Sequence, residues 1–472
     1  MGTSVSSLRV DVGLLELAAA EAFRYLEGLP ERPVSIRATD AELRKLLGGP
    51  LPQRPSDGKL VLGDLVAGVD AGLVPSGNGR YFGYVVGGTL PVAMAADWLT
   101  AAWDQNCIVH DGSPATAVVE EICGEWLVDL CQLRPGTSVA FTPACTHADL
   151  LGLTVARHSV LARAGWDVAE RGLAGAPPVT VLINESIHAA VVRPLQLLGL
   201  GGSIRTLPVD SEGRIREDAL DEAIAAAAGG PLIVCGHIGE INTGGADRLR
   251  VLADKTHAAG GWLHLDAAFG MWAAASPRLR HTLADGIELA DSIGTDAHKA
   301  LNVPYDCGIA FIADKQAHQA AFPLSADYLH LDPSQRHPVQ WGIEVSRRAR
   351  VFPLWAALRT LGKDGVGELI DRLCGHARRF ADLLAQEPGI KIVNDVAYNQ
   401  VLAVFEHPHE HPDTHTRQVA AVLQQQGEAW AAVSRWQDRV VLRISVANWA
   451  TTEEDVQRAA AALTAAHREL LP

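Results

Sequence analysis

The chain has 472 residues, 48% of them hydrophobic and 20% charged, an ordinary globular balance with room for two domains. A net charge of −15 argues against a nucleic-acid-binding or anionic-membrane surface, so an anionic ligand would need locally placed Arg, Lys or backbone N–H groups. Seven cysteines, at positions 107, 123, 131, 145, 235, 307 and 374, form no C-x-x-C pair and mostly sit in apolar stretches, which suits reduced thiols in a cytoplasmic protein.

The chain opens MGTSVS, which formally fits a myristoylation pattern. With so few fixed positions, the match reads as a flexible start built of small residues. No basic stretch leads into an apolar one, and no run of about 18 apolar residues follows, so neither a secretory signal nor a membrane span is expected. Periodicity predicts a helix over residues 14–26, then a Pro- and Gly-punctuated segment over 48–59, and residues 1–80 read as an arm. Residues 90–133 are helical by period, with a turn at 111–114. From about 137 the pattern alternates, with strands expected at 139–142, 179–183, 203–208, 232–237, 262–266, 292–295 and 308–313. Helices are expected between them at 149–164, 188–198, 216–227 and 246–259, which predicts an α/β sheet with crossovers over residues 81–350. Beyond Pro353 come a helix pair (354–361 and 366–386), a strand (400–405), a helix (417–425), a strand (440–446) and a terminal helix (452–469). Residues 351–472 therefore read as a smaller α+β domain.

Ligands in open α/β sheets collect at the carboxyl ends of strands, and four segments there carry polar residues. In FTPACTHADL, the small residues Ala144, Cys145 and Thr146 open a helix, where N–H groups and the Thr146 hydroxyl suit a phosphate. In INESIHAAVV, His188 opens a helix after a strand, as a plain capping residue does, or as a ring stacked on a flat cofactor does. In CGHIGEINTGG, a strand runs into a Gly-rich turn bearing Glu240, Asn242 and Thr243. The fourth segment pair holds the most information. Asp266 ends the apolar strand of WLHLDAAFG, and Lys299 follows the next strand, in DSIGTDAHKALNVPYDCG. A carboxylate and a lysine so disposed hold pyridoxal phosphate (PLP) in many proteins. The amine forms a Schiff base with the aldehyde, and the carboxylate keeps the pyridine nitrogen protonated. Desolvation among small and apolar neighbours is expected to depress the Lys299 pKa and make it a usable nucleophile.

With these residues in hand, the chain resembles, over nearly all its length, the group II PLP-dependent decarboxylases, the family of aromatic-amino-acid, glutamate and diaminobutyrate decarboxylases. HLDAAFG and DAHKALNVPYDCG are its most specific signatures, joined by RYFGYVVGGTLPVAMAADWL as entrance segment and DGSPATAVVEEICGEWL as active-site loop and helix. The resemblance implies a fold-type I, aminotransferase-like architecture with a mostly parallel seven-stranded sheet, a small C-terminal domain, and active sites shared across an obligate homodimer. It implies Lys299 as the Schiff-base lysine, Asp266 at the pyridinium nitrogen and Ala268 packed against the ring. His188 would stack on the opposite ring face, Ala144, Cys145 and Thr146 would cradle the phosphate, and His298 would lie near phosphate or Schiff base. Substrate-facing positions would be Tyr81, Phe82, Ile108, His110, Asp111 and Arg443, with 108, 110 and 111 reaching in from the partner subunit.

The chain departs from the family at Cys145 and Asp149, which are bulkier and more acidic than usual, and at Gly239-Glu240. Relatives carry, on a mobile loop, a Tyr that protonates the α-carbon. Here Pro338 aligns with it, Tyr328 lies ten residues upstream, and His337 is the nearest proton donor in the sequence. The expected reaction is α-decarboxylation of an L-amino acid to amine and CO2. The alternatives are an aldehyde-forming decarboxylase, a Cα–Cβ lyase, or a catalytically silent PLP-binding protein, against which Lys299, Asp266 and His188 argue together. Which bond breaks depends on which stands perpendicular to the cofactor ring. The alternating His407, His409 and His411 of EHPHEHPDTH are read as an irregular surface loop, because Pro408 and Pro412 interrupt it, and no metal is expected.

Overall fold

Seven strands make the central sheet: β1 (Ser138–Thr142), β2 (Thr180–Asn184), β3 (Ile204–Leu207), β4 (Leu232–His237), β5 (Trp262–Asp266), β6 (Ser292–Asp296) and β7 (Gly308–Ile312). The computed structural model describes residues 11–324, 329 and 331–472; the MGTSVS start and Tyr328 lie outside the described residues. The strand order is β1-β7-β6-β5-β4-β2-β3. β7 runs antiparallel to β1 and β6, and the remaining pairs are parallel. β4, β5 and β6 are buried at every position, as strands covered by helices on both faces must be. Their side chains divide between two cores: Leu263 and Leu265 join one, and Trp262 the other. The helix Cys145–Arg163 packs across β5, β6 and β7, so its first turn lies at their ends.

The smaller sheet is antiparallel, in the order β10-β11-β9-β8, from β8 (Ile390–Ile392), β9 (Gln400–Phe405), β10 (Ala432–Trp436) and β11 (Arg439–Ser445). The expected helix pair after Pro353 is present. Val351–Ala385 is interrupted at Gly362, whose φ of 63° and ψ of −177° break the helical path. Three helices of the N-terminal arm, Val12–Gly28, Asp40–Leu47 and Gly58–Val69, precede the sheet. The entrance segment then crosses the turn that carries Lys299. Gly88 N–H donates to Asn302 Oδ1 at 2.6 Å, and a side chain at Gly87 would overlap the Lys299 carbonyl.

Candidate active site

The ends of β5 and β6 are neighbours, with Asp266 paired to Gly294. Adjacent parallel strands therefore deliver Asp266 and Asp296 side by side, and the turn after β6 returns Lys299 onto them. Lys299 Nζ lies 3.2 Å from Asp296 Oδ2. Asp296 Oδ1 accepts the Cys145 N–H at 2.6 Å and faces His298 Nε2 at 3.4 Å. Asp296 thus ties the lysine turn to the first turn of the helix Cys145–Arg163. The sequence alone does not flag it, although its place three residues before Lys299 is the signal that could have.

Burial works to lower the Lys299 pKa, but Asp296, Cys145 and Asp266 act the other way and leave it raised above 10.5. The expected depression therefore does not occur: the carboxylates that desolvate the amine also stabilise its ammonium form.

Asp266 Oδ1 accepts the Ala268 N–H at 3.0 Å and lies 3.6 Å from Cys145 Sγ. Among the described residues its other oxygen takes no hydrogen bond. His188 caps the helix Ala189–Leu197, its Nδ1 accepting the Ala190 N–H at 3.1 Å. That bond fixes the ring and places its proton on Nε2 when the ring is neutral. The ring is open to solvent. Burial lowers its pKa, and Asp266, Lys299, Arg443 and Asp296 act on it at longer range. His298 is buried, its Nδ1 accepting the Cys307 N–H at 3.1 Å, and its ring lies 4.3 Å from that of Tyr305. Ala144 precedes the helix in extended conformation, and Thr146 is its second residue. Gly308 of β7 backs this cradle, since a side chain there would overlap the Ala144 backbone.

The expected substrate positions fall into three groups. Tyr81 stacks on Trp430 at 5.0 Å, and burial pushes its phenol up to about 12, with Tyr84 and Tyr305 adding to the rise. Phe82 is fully buried edge-on against Phe380 and presents no face to solvent. The aromatic that this segment presents to solvent is Tyr84, 60% exposed and 5.2 Å from Trp430. Arg443 is half-buried, donates to the Ile241 carbonyl at 3.3 Å, and feels Glu240 and Tyr84. Ile108 and His110 lie along the 337–339 segment instead: Val339 N–H donates to Ile108 O at 3.0 Å, and His110 N–H to His337 Nδ1 at 3.4 Å. Asp111 is exposed beside them. His337 is buried with its second nitrogen 2.9 Å from Asp332 O, and Pro338 begins a buried 3-10 turn. With both nitrogens engaged, His337 is not the free acid that its place in the sequence suggests. Tyr305, 57% exposed, 4.3 Å from the His298 ring and feeling the charge of Lys299, is the nearby phenol that the sequence does not single out.

The histidine-rich segment is only partly a loop. Pro412 is the first residue of the helix Pro412–Gln426, and His411 caps it, accepting the Asp413 N–H at 3.2 Å.

A lysine amine beside carboxylates at strand ends, a capped imidazole within electrostatic range, and a helix start bonded to one of those carboxylates have the chemistry to hold an aldehyde cofactor with a ring nitrogen and an anionic tail. The donor set fits PLP: Asp266 keeps one oxygen unbonded for a ring nitrogen, and Lys299 is the one lysine in the cluster. Residues 41–406 match the pyridoxal-dependent decarboxylase conserved domain, and the chain belongs to that family. Tyrosine decarboxylase 2 of Arabidopsis thaliana is 26% identical, over 93% of this chain and 83% of its own length. Phenylacetaldehyde synthase of the same plant is 24% identical, over 92% and 91%. L-2,4-diaminobutyrate decarboxylase of Acinetobacter baumannii is 28% identical, over 78% and 76%. Among solved structures, Oryza sativa TDC with PLP and tryptamine superposes with a TM-score of 0.92 at 22% identity, covering 99% of this chain and all of that one. The fold is therefore that of the PLP decarboxylases.

Proposed function

We propose that the protein removes the α-carboxylate of an L-amino acid, releasing CO2 and an amine, with PLP held by Lys299, Asp266, His188, Ala268 and the Ala144–Thr146 helix start. The observation that carries this reading is the cluster itself: a lysine amine and a carboxylate oxygen without a hydrogen-bond partner, brought together by adjacent strand ends. When bound, PLP draws electrons from the substrate's α-carbon. The protein's part is to orient and to manage protons. Asp266, with Oδ2 unbonded, would pair with the ring nitrogen, and the capped His188 would pack on the ring. Asp296 holds the Lys299 ammonium and, through the Cys145 N–H, the helix start.

Arg443, which feels Tyr84, would take the substrate carboxylate, and exposed Tyr84, backed by the buried Tyr81–Trp430 stack, would suit an aromatic or apolar side chain. Tyr305 Oη is the hydroxyl we assign to returning a proton to the α-carbon, recovering its own from water. A second reading, oxidative release of an aldehyde, is favoured by Pro338, which is buried where relatives carry their loop tyrosine. A homodimer, with Ile108, His110 and Asp111 completing the partner's site, is supported by apolar side chains left exposed on the arm, including Leu46, Leu51, Leu60 and Leu65.

The test is a product screen with carboxyl-labelled L-amino acids. Labelled CO2 with the matching amine is expected. CO2 with aldehyde and hydrogen peroxide selects the second reading, and aldehyde with glycine from β-hydroxy amino acids, without CO2, overturns both.

A further inference from the structure

Behind Asp266 lies a buried polar chain that the reaction above does not use. Trp262 Nε1 donates to Ser292 Oγ at 2.8 Å, and Ser292 Oγ lies 2.8 Å from His264 Nδ1. His264 Nε2 lies 3.2 Å from Asp149 Oδ1. Cys145 Sγ is 3.6 Å from Asp149 Oδ1, 3.7 Å from Asp149 Oδ2 and 3.6 Å from Asp266 Oδ1. All six residues are buried. Two glycines make room for the chain. A side chain on Gly294 would overlap Asp149 Oδ1, and one on Gly152 would come within 3.0 Å of the His264 ring.

The direction of the protons follows from the first link. An indole N–H can only donate, so Ser292 Oγ accepts there; among the described residues His264 Nδ1 is its one other side-chain partner, and we assign the hydroxyl proton to that nitrogen. Burial takes the His264 pKa down to about 4, so the ring is neutral and its one proton sits on Nε2, directed at Asp149 Oδ1. Asp149 faces Cys145 from its own helix, His264 and Asp266 from β5, Cys235 from β4, and Asp296 and Lys299 from the β6 end. The one cation of that set, Lys299, pairs with Asp296. Burial, with Asp266 and Asp296 adding to it, raises the Asp149 carboxyl well above its ordinary range. If Asp149 were ionised, two buried carboxylates would compete for one thiol proton.

We propose that Asp149 is a positioning residue, an uncharged acid that completes a one-way run of donors from Trp262 through Ser292, His264, Asp149 and Cys145 to Asp266 Oδ1. Its Oδ2–H donates to Cys145 Sγ, and the Cys145 S–H to Asp266. With the Ala268 N–H, that gives Asp266 Oδ1 two donors, fixes the carboxylate's orientation, and leaves Oδ2 for a ring nitrogen. This role rests on Asp266 serving PLP as proposed above.

Infrared difference spectroscopy of the cofactor-free protein at neutral pH is the first test. A protonated-carboxyl C=O band is expected in the native chain and absent in Asp149→Asn. PLP binding, followed by the visible band and its pH titration, is the second. Asn keeps one acceptor and one donor, so Asp149→Asn is expected to leave PLP affinity and the titration midpoint unchanged. Asp149→Leu is expected to weaken PLP binding about tenfold and shift the midpoint, the scale of one lost hydrogen bond to a charged group. The proposal is overturned if the acid band is absent, or if the Asn variant loses affinity as the Leu variant does. A stoichiometric divalent metal in the purified protein would overturn it too, because a cation held by Cys145, Asp149 and Asp266, whose ligand atoms lie within 4.8 Å of one another, strips those protons. The infrared band decides the matter even if the Leu variant does not fold. Because it is read without cofactor, it separates failure of this chain from failure of the PLP assignment.

Discussion

Lys299 and Asp149 show opposite outcomes of the same burial. Lys299 lies against carboxylates and stays an ammonium, while Asp149 lies among them and stays an acid. Each has a measurable consequence. The Lys299 amine must lose its proton to attack an aldehyde, and Asp296 is the largest influence raising its pKa. PLP uptake by the cofactor-free protein is therefore expected to speed up with rising pH, and in Asp296→Asn the midpoint of that rise is expected to move down by about one pH unit, the scale of one lost ion pair. Rapid-mixing absorbance measures it, and an unmoved midpoint would remove Asp296 from that role. Asp149, with its pKa raised in the folded state, keeps its proton when the unfolded chain has released its own. Its burial thus costs nothing below the unfolded pKa of about 3.9, and costs more as pH rises above it. Asp149→Asn is expected to gain melting temperature relative to the native chain between acid and mildly alkaline pH. A constant or shrinking difference in paired thermal melts would contradict the uncharged acid.

At the scale of elements, β4, β5 and β9 appear in the fold with the bounds that the sequence implies, because long apolar runs between Gly- and Asp-bearing turns leave few alternatives. The helices Asp40–Leu47 and Gly58–Val69 were hidden by the prolines and glycines between them. β10 was hidden by its hairpin: Gln437 and Asp438 take φ of 46° and 62° without the Asn-Gly that usually signals such a turn. The site divides the same way. Lys299 and Asp266 sit in motifs that can be read along the chain. The links from Asp149 to His264 and from Cys145 to Asp296 join residues 115 and 151 positions apart, and exist only once the helix Cys145–Arg163 lies on β5 and β6. Gly294 marks that contact. Gly294→Ala is expected to cost about 1–3 kcal/mol by overpacking Asp149, read from urea denaturation midpoints, while Ala at open, helical Gly375 is expected to cost nothing.

At the scale of the molecule, the arm packs on the body through Phe23 and Trp98, whose rings stack at 5.9 Å, while its outer leucines stay exposed. No helix among the described residues is long and apolar enough to cross a membrane. A second copy of the chain is the cover we propose for that face. Light scattering is expected to give a dimer. Leu60→Asp with Leu65→Asp is expected to shift it to monomer with loss of activity, since Ile108, His110 and Asp111 then have no partner site to complete. The proposed chemistry as a whole rests on one covalent attachment. Borohydride reduction of the PLP-treated protein, followed by peptide mass mapping, is expected to place a phosphopyridoxyl group on Lys299 and to find none in Lys299→Ala. Attachment at another lysine, or no attachment at all, would contradict it.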